Sequence, residues 1–321
     1  MGQPTNTFDT YDAKGIREDL ANVIYNISPE ETPFMSNIGK GTAKSTYFEW
    51  QEDALAAASL SNAQIEGDDA VAVEPTPTVR MGNYTQISRK TVSVSGSLEA
   101  VDKAGRKSEM AYQMAKSASE LKRDMELTMV SGQAAVAGNS STARKSAGLG
   151  AFLRTNTDNG ATATEPTLSG TTSGYPNAAA GAGTPRAWSE TILKNVQAKV
   201  WTNGGNAKML LVGSTLKQKA SAFPGIAAQR YNASGAKQST IVGAADIYVT
   251  DFGNLEIVPS RFIAADVAYH IDTSMASVCF LRPFEKINLA KTGDADRMLL
   301  VTEWGLKVHN EKAHGVARDL T

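Results

Sequence analysis

The chain has 321 residues, 41% hydrophobic and 20% charged, with a formal net charge of −1. This is enough apolar material for one large domain or two modest ones, and too much for a chain disordered throughout. The near-neutral balance lacks the basic excess of a dedicated nucleic-acid binder, although a wall that only encloses nucleic acid needs none.

The first seven residues, Met1-Gly2-Gln3-Pro4-Thr5-Asn6-Thr7, have no charged-then-apolar leader layout, and no run of about 18 apolar residues predicts a membrane span. Residues 1–44 read as an arm with a short helix. Ile16, Leu20, Val23, Ile24 and Ile27 recur at helical spacing and form one apolar stripe, which on an extended arm needs another surface to cover it. Ser28-Pro29-Glu30-Glu31 resembles a capping-box start with room for about one turn before Pro33.

Residues 45–96 read as a two-stranded excursion. Ser45 to Trp50 is rich in strand formers, and Thr85 to Ser95 alternates. Roughly thirty residues rich in Ala, Ser and Asp lie between them, too long for an ordinary connection in a compact domain. Residues 51–78 hold Glu52, Asp53, Glu66, Asp68, Asp69 and Glu74 with no Lys or Arg. Like charges repel when such a tract folds on itself. It is either a solvated loop or a segment resting on a basic surface, for which Lys103, Arg106, Lys107, Lys122 and Arg123 are the candidates.

The clearest helix is predicted over 108–131. Met110, Met114, Ala118, Leu121 and Met125 form its stripe, as core or subunit contact, with Lys116, Glu120, Lys122, Arg123 and Glu126 mostly away from it and Gly132 ending it. Residues 133–186 are Gly-, Ser-, Thr- and Ala-rich and predict loops with a few short strands. A helix follows from Thr184-Pro185 to Asn203, with Trp188, Ile192, Val196 and Val200 on one face. Met209 to Val212 reads as a buried strand, and Ser214 as the cap of a short helix ending near Phe223. Strands come next at 247–250, 255–258, 267–271 and 278–281. From Met298 to His309 the chain alternates over a long span, placing Met298, Leu300, Thr302, Trp304, Leu306 and Val308 on one face. The pattern is α+β.

Chemistry-bearing motifs are weak. Gly39-Lys40-Gly41-Thr42-Ala43-Lys44-Ser45-Thr46 fails the phosphate-loop pattern, because Ala43 precedes Lys44 and a strand rather than a helix follows. That leaves a flexible basic turn. His270, His309 and His314 lie in no metal-ligand spacing, and Asp294 and Asp296 lack the further ligands of a calcium loop. Cys279, the single cysteine, sits in an apolar run and reads as a small buried hydrophobe, compatible with a reducing compartment. No G-x-S-x-G elbow occurs. No catalytic residue, cofactor site or metal site is assigned.

The order of elements then resembles the Hong Kong 97-type capsid fold of tailed-bacteriophage major capsid proteins. Ile27-Ser28-Pro29-Glu30-Glu31-Thr32-Pro33-Phe34 is similar to the arm of such proteins, and Val308-His309-Asn310-Glu311-Lys312-Ala313-His314-Gly315 to their terminal strand. The resemblance covers the whole chain. It implies an N-terminal arm over 1–44, an extended E-loop over 45–96 and a peripheral domain with its spine helix over 97–140. An axial domain over 141–284 and a return to the peripheral domain over 285–321 complete it. It also implies a non-enzymatic shell subunit of the virion, made in a bacterial cytoplasm, that assembles as hexamers and pentamers around double-stranded DNA held without sequence preference. A portal protein and, optionally, a decoration protein are its implied partners, with no membrane. The arm begins near Met1, so a separate scaffolding protein is expected. Interfaces are expected at the arm stripe, at Met114 and Leu121, and at Glu66, Asp68, Asp69 and Glu74. Some relatives cross-link through a lysine of this loop; residues 51–78 have none, and only Lys44 and Lys90 flank them. The alternatives are an encapsulin-like compartment, told apart by shell contents, and a cytoplasmic α+β hydrolase, which would run as a monomer.

Overall fold

The structure, a computed structural model, describes residues 31–69, 74–103, 105–223, 246–291 and 293–321. The arm stripe from Ile16 to Ile27 lies outside the described residues. The first half runs α1 (Pro33–Asn37), β1 (Gly39–Thr42), β2 (Tyr47–Glu52), β3 (Val79–Tyr84), β4 (Gln86–Ser95), α2 (Gly96–Ala100) and α3 (Glu109–Val130). Next come α4 (Leu149–Phe152) and the short strands β5 (Thr157–Asp158), β6 (Thr167–Leu168) and β7 (Pro176–Ala178). The rest is α5 (Glu190–Thr202), β8 (Met209–Val212), α6 (Ser214–Ser221), β9 (Ile247–Thr250), β10 (Gly253–Pro259), β11 (Ala268–Ile271), β12 (Ala276–Asn288), β13 (Ala295–Val308) and β14 (Gly315–Ala317).

A four-stranded sheet runs β1-β12-β13-β4, with α3 laid across it. Ser108 caps α3 by accepting from the Ala111 N–H at 3.2 Å. Its 22 residues make a rod of about 33 Å. The stripe read from sequence is the packed face: Met110, Met114 and Leu121 meet Val94 of β4 and Leu300 of β13. Glu126 departs from the expected wet face and is fully buried.

Two expectations about strands change. The return leg of the excursion is β3, not β4: β2 pairs with β3 from Tyr47↔Tyr84 to Glu52↔Val79. β4 instead pairs with β13 from Ala295↔Ser95 to Trp304↔Gln86. Both candidates have strand composition, and local pattern does not choose between them; the long alternating β13 does. The segment expected as a basic turn is partly β1, parallel to β12, and a Cβ on Gly41 would stand 3.1 Å from Cys279 Sγ. β12 also runs on to Asn288 through Pro283, with bulges near Arg282. β1 pairs with it only over Ser277 to Phe280, so Pro283 has no β1 partner to lose.

The six-stranded sheet runs β5-β14-β11-β8-β10-β9. One face packs under α5 and α6, where Leu193, Val196 and Leu216 meet Leu210, Val212 and Ala317. The other face, with Met209, Leu211, Tyr269 and Ile271, shares one core with Phe34, Met125, Phe152 and Trp304. Residues 285–321 therefore divide, β13 joining the four-stranded sheet and β14 the six-stranded one. α5 starts at Glu190 under a Ser189 cap, later than Pro185 suggested. The delay has a cause: the Arg186 N–H donates to Asp319 O and the Trp188 N–H to Thr321 O, which keeps this stretch extended. At the arm, Pro33 opens a helix as its first residue instead of ending one.

Candidate assembly interface

The β2–β3 ribbon lies on the body through Trp50 and Met81, both in the main core. Gly174 extends it as a third edge: the Gly82 N–H donates to Gly174 O at 3.0 Å and the Gly174 N–H to Arg80 O at 2.8 Å. Past Glu52 the chain leaves the body. Every described residue from Asp53 to Thr78 is exposed, including Glu66, Asp68, Asp69 and Glu74. Sequence reasoning named the acids and passed over the apolar residues between them. Leu55, Leu60 and Ile65 are 99%, 106% and 79% exposed. Three large apolar side chains at five-residue intervals in an acidic tract were the available signal. At the exit point the Trp50 indole N–H donates to Glu52 Oε1 at 3.2 Å. Burial, reinforced by the Glu311 carboxylate, pushes the Glu52 acid up to about 7.

The helix residues expected at an interface belong elsewhere. Met114 and Leu121 pack inside their own subunit against β4 and β13, because those strands pass beneath α3 and cover the stripe. The five candidate cations also separate. Lys103 Nζ donates to the carbonyls of Leu98, Glu99 and Val101 at 2.8, 2.8 and 3.1 Å. Arg106 pairs with Glu109 and lies over the Tyr112 ring. Arg123 lies over the Phe262 ring at 5.7 Å. Lys107 and Lys122 are the two whose residues are exposed. Lys122 and Lys40 line a cleft of about 400 Å³ floored by Met35, Val278, Phe280 and Phe284.

Two of the histidines and the cysteine lie inside the body. His270 and His314 are fully buried. Gln197 donates its amide N–H to Ala207 O, which leaves its oxygen to face His270 Nδ1 at 2.9 Å, so Nδ1 carries the proton. Burial holds His270 down to about 3 and His314 to about 4. The Cys279 thiol is buried and its pKa is raised by that burial. Among the described residues no group of three or more His, Cys, Asp or Glu side chains is placed to hold a metal, and no helix is long and apolar enough to cross a membrane.

A rigid helix laid on a long sheet, a second sheet with its own helices, and an acidic loop projected clear of both define a shell subunit of the Hong Kong 97 type. The cyanophage A-1(L) capsid has this fold at a TM-score of 0.64 and 10% identity, covering 98% of each chain. The holo-SrpI encapsulin of Synechococcus elongatus shares it at a TM-score of 0.54 and 9% identity, covering 95% of this chain and 92% of that one. The fold alone therefore leaves phage head and encapsulin together, and the sequence separates them. The chain belongs to the SU10 major capsid protein family, whose profile matches residues 3–321. The major capsid protein of Escherichia phage Phieco32 is 30% identical over 351 residues, covering 98% of this chain and 97% of that one. The protein is thus a phage major capsid protein, a component of the virion shell.

Proposed function

We propose that the subunit builds its shell as hexamers and pentamers, and that residues 53–78 of each copy rest on a neighbour. The observation that carries this is the loop itself: acidic, free of cations, and bearing Leu55, Leu60 and Ile65 in the open. Burying such side chains yields about 25 cal/mol per Å² of apolar area, which no contact within the subunit supplies. An exposed cation such as Lys107 or Lys122 on the neighbour gives the loop's carboxylates a partner. The role is structural and not catalytic. Assembly uses a separate scaffolding protein and a portal, double-stranded DNA is packaged without sequence readout, and a decoration protein is an optional addition. The shell is non-covalent. Lys90, the flanking lysine that follows the ribbon on β4, is held by Asp124 at 2.8 Å. Lys44 lies before the ribbon, outside the loop.

A glutamate-specific protease tests the loop's position. Cleavage at Glu66 and Glu74 should be rapid in free subunits and at least tenfold slower in shells; equal rates would refute overlap. Boiled shells should run as one subunit band in a denaturing gel, and a ladder would overturn the non-covalent reading.

A further inference from the structure

The acidic loop carries a turn that is already formed. The Asp68 N–H donates to Ile65 O at 3.1 Å, and Gly67 takes φ +83°, the left-handed value required of the third residue in a type II turn. The turn presents one large apolar side chain, Ile65, 79% exposed, followed by the exposed carboxylates of Glu66, Asp68 and Asp69. The shorter leg back to the ribbon, from Asp69 to Val79, can span up to about 35 Å at roughly 3.5 Å per residue, so the turn can sit about a spine-helix length away.

The cleft of about 400 Å³ between α1, β1, α3 and β12 has the complementary character. Met35, Phe280, Pro283 and Phe284 give it an apolar floor, Lys40 and Lys122 give it cations, and no carboxylate lines it. Four other clefts of about 310 to 550 Å³ each include a carboxylate, among them Asp296, Glu256, Glu31 and Glu311, and Lys107 lines none of them. The floor is open because β1 pairs with β12 only as far as Phe280, which leaves Pro283 and Phe284 exposed. Its walls are fixed in place. Thr32 gives α1 no side-chain cap, and Glu126 of α3 supplies one instead: Oε1 accepts from the Phe34 N–H and Oε2 from the Met35 N–H, each at 2.8 Å. That pair of bonds holds Met35 near Lys122, which lies one turn back along α3.

We propose that the turn at residues 65–68 of one subunit seats in this cleft of a second copy. Ile65 lies against Phe280 and Phe284, and the carboxylates of Glu66, Asp68 and Asp69 face Lys40 and Lys122. The proposal rests on the reading that the 53–78 loop overlaps a neighbour, and it names where. An apolar anchor in a pocket rimmed by matched charges concentrates binding energy at one point, and because turn and cleft are both formed beforehand, little ordering cost opposes it.

Cysteine cross-linking in assembled shells tests it. Cys279, the native cysteine, is buried and should stay silent. Ile65→Cys combined with Phe284→Cys should, on mild oxidation of shells, give a ladder of subunit multimers in a non-reducing denaturing gel that collapses on reduction; neither single variant should. A lone monomer band from shells whose Glu66 is protected from the glutamate-specific protease overturns the seat and leaves the overlap standing. Glu66 cleaved as fast in shells as in free subunits overturns both. If the cysteine pair blocks assembly, charge reversal decides. Lys40→Glu with Lys122→Glu should lower shell yield about tenfold or more, and adding Glu66→Lys, Asp68→Lys and Asp69→Lys should restore most of it. A yield that the lysine reversals leave unchanged, or that the loop reversals fail to rescue, overturns the proposal.

Discussion

Single buried polar residues set much of this subunit's tolerance. Glu303 of β13 accepts from Thr85 Oγ1 at 2.9 Å and Arg282 Nε at 3.0 Å, and it pairs with Arg144. It joins the ribbon's end, β12 and the loop after α3 at one carboxylate. Glu303→Gln should lower unfolding stability by about 3 kcal/mol, since two guanidinium groups lose their counter-charge together; a denaturant midpoint unchanged within error would show the network to be slack. His270 and His314 give a pH dependence of known sign. Unfolded, each binds a proton near 6.5; folded, they do so only at about 3 and about 4. Their contribution is therefore complete above pH 6.5 and lost as pH falls through that window. Glu52, pushed up to about 7, acts the other way: between pH 4.5 and 7 the folded state holds the extra proton, so its contribution declines as pH rises. Thermal melts from pH 8 to pH 4.5 should show the histidine loss more clearly in Glu52→Gln, where the opposing group is gone. A variant less acid-sensitive than the wild type would contradict this sign.

At the scale of elements, the spine helix is a within-subunit seam. Leu121, 1% exposed, touches the sheet beneath it, so Leu121→Ala should cost about 2–4 kcal/mol in the isolated subunit, before any assembly is asked of it. Lys116→Ala, on the wet face, should stay within about 0.5 kcal/mol. Equal stabilities of the two variants in chemical denaturation would mean the helix face is misassigned. This element was legible in sequence because its stripe has a single period and Gly132 marks its end. Its partner was less so. β3 and β4 both have strand composition, and only their separate pairings, with β2 and with β13, distinguish a projecting ribbon from a sheet strand. Glu126 was unreadable for a related reason: helical position placed it off the stripe, while α1, far away in sequence, closes over it.

For the whole molecule, the C-terminal residues are a keystone. β14 lies between β5 and β11, and Asp319 accepts from the Gly160 N–H at 2.9 Å and the Gly183 N–H at 2.7 Å. Arg318 donates to the Gly150 and Leu153 carbonyls at 2.9 and 2.7 Å. Removing residues 315–321 should open the six-stranded sheet and make residues 155–185 rapidly cleavable by a nonspecific protease; a cleavage pattern like the intact chain's would show that sheet to be held without them. For the shell, neutralising Asp68, Asp69 and Glu74 together should lower dissociation midpoints most at low salt. Screening at about 1 M, where the Debye length is roughly 3 Å, should erase the difference. A deficit independent of salt would assign the loop's contribution to Leu55, Leu60 and Ile65 instead.

The sequence by itself determined the α+β class, the span and buried face of the long helix, the long C-terminal strand, the acidic loop without lysine, and the family likeness carried by their order. These are local properties: a period of 3.6 or 2, a cap, a run of one charge sign. Only the tertiary structure decided that Met114 and Leu121 face their own sheet, that β4 leaves the ribbon, that the last residues sit inside the six-stranded sheet, and that Glu126 caps a helix ninety residues away. Each of those depends on which distant strand or turn arrives to cover a surface, and the energy of that choice lies in pairwise packing that no single segment contains.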